Sequence, residues 1–376
     1  MGKKTQINSF DVIIAGAGMA GLGTALALAA LKRKVLVVTR KSVKGESSPA
    51  AGGILDPLLE MKPASFFLPF CMRAFRSWPK ELRFLEKKTG LKIGYQKNGV
   101  LYAALSLKDE KILASRYRWQ KKIGIKTQWM TRKECLKKEP LLSLNVRAGL
   151  FYPEIGRVQP RILLKVLSAA ARKLGVQFCY TDEFPKVKIQ KGEVAGIQAG
   201  SIFYSAPAVV NATGSWAGNS QGLGPAVPVK PARGQILILK KGKLKIKNIL
   251  HTVDGGYIVP WDPDSLLIGS TVEFSGFKPE VTSLGRKIIR EKNQRLVPSL
   301  AACEEMDSWA GLRPFPKDRY PLIGPTRIPG LYMAAGYYRS GILIGLYAGK
   351  LLARGIVSGK MPTELRLLDP RRFNGR

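Results

Sequence analysis

Residues 11–39 constrain the fold more than any other stretch. The run "DVIIAGAGMAGLGTALALAALKRKVLVVT" passes from an apolar strand at 11–15 through Gly16, Gly18 and Gly21 into a helix at 19–32, then into a second strand at 35–39. Such a βαβ opening uses Gly16 for a tight turn, Gly18 for close approach of a pyrophosphate, and Gly21 for close packing of helix on strand. The phosphates then face the helix N-terminus. A second strand of this kind should close on Asp or Glu, whose carboxylate takes a ribose hydroxyl. Here it closes on Thr39, with Arg40 beside it. Thr39 still hydrogen-bonds a ribose hydroxyl, more weakly than a carboxylate does. The pair Thr39-Arg40 also suits a 2′-phosphate, and the glycines alone suit a turn in any α/β protein.

His251 is the only histidine in 376 residues, which leaves little room for catalytic triads or His-based metal sites. Cys71, Cys135, Cys179 and Cys303 are far apart and form no CxxC pair, so neither zinc nor a disulfide framework is indicated, and a reducing cytoplasm is expected. Sixty-two Lys and Arg against 26 Asp and Glu give a net charge of +36. A field of that size would attract RNA, anionic membrane or acidic proteins; it equally fits a lysine-rich proteome, because the charge is spread along the chain. Val12 to Leu31, preceded by Lys3 and Lys4, mimics a signal peptide or membrane helix. Asp11 opens that run and glycines break its first half, so it reads as strand, turn and helix. "GILIGLYAGKLLARGIV" is interrupted by Lys350 and Arg354 and reads as a core helix. No transmembrane segment is expected.

Farther along, 63–90 is helical with interruptions at Pro69 and Pro79. "IGYQKNGVLYAAL" alternates around Asn98-Gly99 and reads as a hairpin. Basic helices are expected at 107–124 and 131–139, and an amphipathic helix in "QPRILLKVLSAAARKLG". A second hairpin, "KVKIQKGEVAGIQ", precedes a strand ending at Asn211; a β-rich block, a helix at 281–296 and a long C-terminal helix follow. Helical and strand-rich blocks alternate, so the fold class is α/β: a nucleotide domain of discontinuous segments with an inserted, β-rich substrate domain.

Further segments carry a resemblance. "SSPAAGGILDPLLE", "VVNATGSWA", "GGYIVP", "WAGLRP", "PLIG" and "AAGYYRSGILIG" occur in the order and at nearly the spacing found in the D-amino acid oxidase family of flavoproteins. The chain resembles that family nearly end to end, most closely its glycine oxidase branch. The resemblance implies a Rossmann-like FAD-binding domain of residues 1–90, 145–222 and 318–376, and an α+β substrate domain with an antiparallel sheet, residues 91–144 and 223–317. Its cofactor would be non-covalent FAD, since the flavin-side segments have no use in an NADP enzyme.

Carried over residue by residue, the resemblance places Ser47, Ser48, Ala50, Ala51, Gly52, Gly53 and Ile54 in a small-residue loop bracketing pyrophosphate and flavin ring. Ala212, Thr213 and Gly214 pass under the cofactor. Met19, Ala20, Phe184, Trp216, Gly311, Gly336, Tyr338, Ser340, Gly341 and Ile342 are further cofactor-binding positions that the resemblance implies. Arg313 falls where the family holds the substrate carboxylate, for which a forked guanidinium is suited; a domain-linking ion pair is the bland alternative. Tyr257 falls on the tyrosine supporting that carboxylate, and Arg339 beside the flavin. His251 reads as a hairpin residue.

The implied reaction is oxidation of a C–N bond in a small amino acid or amine. Hydride passes to flavin N5 and water hydrolyses the imine, with O2 reoxidising the flavin to give H2O2. In the glycine oxidase branch such an activity can feed thiazole synthesis for thiamine. One alternative keeps the fold: "GILDPLLEM" and "FYPEIGRVQP" are similar to the oxidase domain of a bifunctional tRNA-modifying enzyme acting on a wobble uridine. Arg116, Arg118, Lys121, Lys122, Lys126, Arg132, Lys133, Lys137 and Lys138, with Trp119 and Trp129 among them, would then contact tRNA, or form a solvated helix face. Another is a flavin-bearing subunit of a larger complex, and a homo-oligomer is also open.

Overall fold

The computed structural model of the chain describes residues 8–41, 44–58, 61–218, 222–224 and 227–373. Lys3 and Lys4, and Leu59 and Glu60 of the "ILDPLLE" stretch, lie outside them. The strand Val12–Ala15 turns at the glycines into the helix Met19–Ala30 and returns as the strand Val35–Arg40. The two strands pair in parallel, Val12 opposite Val35 and Ala15 opposite Val38. Both are buried on both faces over their apolar residues, 12–15 and 35–38, as such continuous apolar runs require.

A six-stranded sheet grows from this pair. Its order is Leu322–Pro325, Leu331–Ala335, Ala208–Asn211, Val12–Ala15, Val35–Arg40 and Gln177–Thr181. Every neighbouring pair is parallel except the first. The helix Gly341–Ser358 packs on Met19–Ala30 so closely that a Cβ on Gly23 would collide with the Gly345 carbonyl. It is the one helix among the described residues long and apolar enough to cross a membrane, and 61% of that stretch is buried inside the protein. The expected interruptions at Pro69 and Pro79 are absent: Phe67–Thr89 is one helix. Pro69 falls in the first turn, where no N–H is needed.

An eight-stranded sheet forms the second body. In order its strands are Glu305–Pro316, Val229–Lys240, Ser265–Gly269, Tyr257–Pro260, Ile249–Thr252, Val100–Ala104, Ala148–Tyr152 and Gln128–Thr131. All its pairs are antiparallel except Ile249–Thr252 with Val100–Ala104. Ala148–Tyr152, expected among the nucleotide segments, therefore lies in the antiparallel sheet.

The hairpin expected at Asn98-Gly99 does not form. Val100–Ala104 pairs with two distant strands instead, and the Gly99 N–H donates to the Ile155 carbonyl. The second expected hairpin is present: Lys186–Gln190 and Glu193–Ala199 pair across Lys191-Gly192, both at positive φ as a tight hairpin turn demands. It belongs to a small third sheet with Ile202–Ser205 and Asn8–Ser9.

Candidate active site

A cleft opens at the C-terminal ends of the parallel strands. Gly16, Gly18, Met19 and Ala20 line it from the glycine turn, and Thr39 and Arg40 from the second strand. Ser47, Ser48 and Ala51 come from the loop that follows. Ala212, Thr213, Gly214, Trp216 and Phe184 close one side; Gly336, Tyr338, Arg339, Gly341 and Ile342 close the other. Gly16 adopts φ +111°, and a Cβ there would stand 2.5 Å from the Ala212 carbonyl oxygen. Gly21 does not line the cleft; a Cβ on it would collide with the Gly16 carbonyl, so it serves helix–strand packing. The first helix has no acidic residue in its first turn and no side-chain cap, although the Met19 N–H donates to Ser48 Oγ at 3.1 Å. That end suits a pyrophosphate.

Thr39 is buried at the strand end. The Arg40 guanidinium lies 3.8 Å from the Phe184 ring centroid and 5.6 Å from that of Trp216. Glu46, which sequence reasoning missed, also lines the cleft. Burial pushes its carboxyl up, and Arg40 partly opposes the shift. The cleft thus holds a carboxyl group, supplied from the next loop and not by Thr39.

A cavity of about 390 Å³ adjoins the cleft, and Ser47, Ala51, Tyr338, Arg339 and Ile342 line both. Ala50, Gly52, Gly53 and Ile54 wall it from the small-residue loop, and Gly311 and Arg313 from an edge strand of the large sheet. Arg313 Nη1 donates to the Thr271 carbonyl and Nη2 to Ser270 Oγ, both at 3.0 Å. The glycine at 234 makes room for this guanidinium, because a Cβ there would overlap it. A Cβ on Gly52 would lie 3.5 Å from Tyr257 Oη, so the loop passes the tyrosine hydroxyl. Tyr338 holds φ +45° at the junction of cleft and cavity, a strained value for a tyrosine. Ser340 faces a neighbouring cavity shared with Asp56 and Cys71. No cysteine lines the cleft or the adjoining cavity among the described residues.

His251 pairs with Tyr257 in a hairpin, as expected, and also lines the cavity. Its ring stacks on Tyr102 at 4.8 Å and tilts against Tyr257 at 5.3 Å. Tyr102 Oη donates to Asp56 Oδ2 at 2.6 Å. Burial pushes the His251 pKa down to about 3, with Arg339 and Arg116 adding to the shift. As pH falls below the ordinary value of 6.5, the unfolded chain gains a proton that folded His251 refuses. Stability should therefore drop by about 1.4 kcal/mol per pH unit on this account until the folded value is reached. Urea unfolding of the wild type and His251→Phe between about pH 6 and about pH 4 measures it. The wild type should decline more steeply by that slope; parallel curves would mean that folded His251 is charged.

The basic cluster of the sequence divides. Trp119 and Trp129 are half-buried and pack against the core around Tyr102 and Tyr152. Arg116 turns inward and lines the cavity.

A parallel sheet with a phosphate-binding turn, joined to an antiparallel sheet that walls a cavity beside it, defines a dinucleotide-dependent enzyme. The family model DAO, FAD dependent oxidoreductase, matches residues 11–354, and the chain belongs to that family, with FAD as its cofactor. The chain is 30% identical to glycine oxidase of Geobacillus kaustophilus (strain HTA426), covering 92% of each protein. The crystal structure of glycine oxidase from Geobacillus kaustophilus matches with a TM-score of 0.90 and 28% identity, over 97% of this chain and 99% of that one. The bifunctional protein ThiO/ThiG of Trichormus variabilis (strain ATCC 29413 / PCC 7937) is 31% identical over 96% of this chain and 55% of its own length.

Proposed function

We propose that the protein oxidises the C–N bond of a small amino acid or amine, as a glycine oxidase does, where the cavity meets the cleft. The observation that carries this reading is the guanidinium of Arg313, fixed by Thr271 and Ser270 on the wall of a cavity continuous with the dinucleotide cleft. On this reading the six-stranded sheet serves FAD and the eight-stranded sheet the substrate. Gly16, Gly18, Met19 and Ala20 receive the pyrophosphate, while Thr39 and Glu46 face the ribose. Bound FAD supplies the hydride acceptor.

Arg313 holds the substrate carboxylate, and Tyr257 supports the same group through its hydroxyl. Tyr338 and Arg339, at the junction, orient the amine so that its carbon faces the cleft. The amine reacts neutral: hydride leaves its carbon, the nitrogen lone pair forms the iminium, and water then gives a keto acid or aldehyde with ammonia or an amine. The electrons pass on to O2 as H2O2, or to another acceptor. His251 is too weak a base to hold a proton near neutral pH, and this step needs none. The four free cysteines support a reducing, cytoplasmic setting.

The test is anaerobic mixing of the yellow holoenzyme with glycine, N-alkylglycines and simple amines, followed by peroxide assay in air. Amino acids should bleach the flavin band, and acid should release intact FAD from a colourless chain. A flavin that no amine bleaches would overturn the reading.

A further inference from the structure

We propose that the substrate carries a second anionic group, several bonds from the reacting carbon, and that Arg116 receives it. The proposal rests on the amine-oxidising reading above and narrows its substrate class to acidic amino acids, those with a carboxylate on a side chain or N-substituent.

Four observations carry it. Arg116 stands on the helix Leu107–Lys122, half-buried, and lines the same cavity as Arg313 and Tyr257. Its guanidinium lies 5.6 Å from the Tyr102 ring centroid and forms no ion pair among the described residues; the nearby carboxyl of Asp56 accepts from Tyr102 Oη instead. The acidic residue in the cavity lining, Asp254, is already engaged, accepting from Thr252 Oγ1 and from Arg295 Nη2 at 2.5 Å. Arg116 and Arg313 also reach the cavity from well-separated places. Arg313 is bonded beside the end of the strand Ser265–Gly269, third in the sheet order, whereas Tyr102, beneath Arg116, is on the sixth. At about 4.8 Å per strand the two cations are on the order of 10–15 Å apart. The rings of Tyr257, His251 and Tyr102 form an apolar floor between them.

A lone guanidinium over such a floor favours an anion at the far end of an extended ligand. Glycine alone would leave Arg116 unmatched. An N-carboxyalkyl amino acid would put one carboxylate on Arg313, its amine at the cleft, and its second carboxylate on Arg116.

The experiment compares N-carboxyalkylglycines with N-alkylglycines of equal length, across arms of about two to six carbons, on the holoenzyme, Arg116→Gln and Arg116→Lys. At the best length the wild type should prefer the diacid roughly 10- to 100-fold in kcat/KM. Arg116→Gln should bring the ratio close to one, and Arg116→Lys should retain part of it. A wild-type ratio near one, or a ratio that survives Arg116→Gln, overturns the proposal and leaves amine oxidation intact. If no amine is oxidised, α,ω-dicarboxylates titrated against the absorbance of bound flavin still decide the point. Length-dependent binding weakened by Arg116→Gln supports the second anion site, and binding insensitive to length or to Arg116 overturns it.

Discussion

Arg313→Ala should lower kcat/KM for amino acids by about 30-fold to several-thousand-fold. The substitution leaves the substrate carboxylate unpaired in a desolvated site, a loss of about 2–5 kcal/mol. Amines without a carboxylate should lose far less, since they never use the guanidinium. Gly234→Ala provides a second probe, because its methyl would displace the guanidinium without deleting it. It should shift the same preference in the same direction. Steady-state kinetics on glycine and on a carboxylate-free amine of similar size measure both variants. Equal losses for the two substrate classes would assign Arg313 to folding or flavin placement instead.

Gly16→Ala should yield a colourless, weakened protein. Its φ of +111° is unsuited to an L side chain, and the new methyl would meet the Ala212 carbonyl at 2.5 Å. Relief requires moving the segment Ala212–Gly214 and the turn apart, at about 2–4 kcal/mol of stability. FAD affinity should fall by about two orders of magnitude or more, since both sides of the pyrophosphate site move. Gly18→Ala is the control. Its methyl would stand 3.1 Å from Ser48 Oγ, a side chain able to rotate away, so it should weaken FAD binding with little effect on folding. Flavin content, apoprotein titration and urea unfolding separate the two. Full FAD occupancy in Gly16→Ala would show that the turn does not approach the cofactor.

The features that sequence made legible are those whose signal is local. The opening strand, turn and helix are readable because the run is continuous and Gly21 answers a contact within its own motif, the Gly16 carbonyl. The hairpin around Lys191-Gly192 was readable because its strands are each other's partners. Asn98-Gly99 carries as good a turn signal and fails, since Val100–Ala104 finds partners some 50 and 150 residues away. Ala148–Tyr152 was misplaced for the same reason: nothing in five apolar residues says which sheet they join.

Within the site, the residues that line cleft and cavity followed from the family resemblance, whereas Glu46, Tyr102 and Arg116 did not. Arg116 looked like one cation among many on a basic helix. Only the packing of that helix over Tyr102 distinguishes it from Arg118, which is exposed. Trp119 and Trp129 likewise sit among these cations in sequence, and only the sheet beneath them shows that they pack on the core.

The parallel sheet also sets a timetable for the growing chain. The helix Met19–Ala30 leaves the ribosome well before the helix that covers it, and almost every residue of it is destined for burial. Its main packing partner, Gly341–Ser358, follows some 300 residues later. At about 5–20 residues per second, the intervening 300 or so residues take roughly 15–60 s to synthesise. For that interval an apolar helix has no permanent cover, and the strand Leu331–Ala335 that flanks Ala208–Asn211 does not yet exist. For FAD to lock the domain, the chain must first have emerged through residue 358. Chains truncated before residue 341 should accumulate as aggregates, whatever the flavin supply.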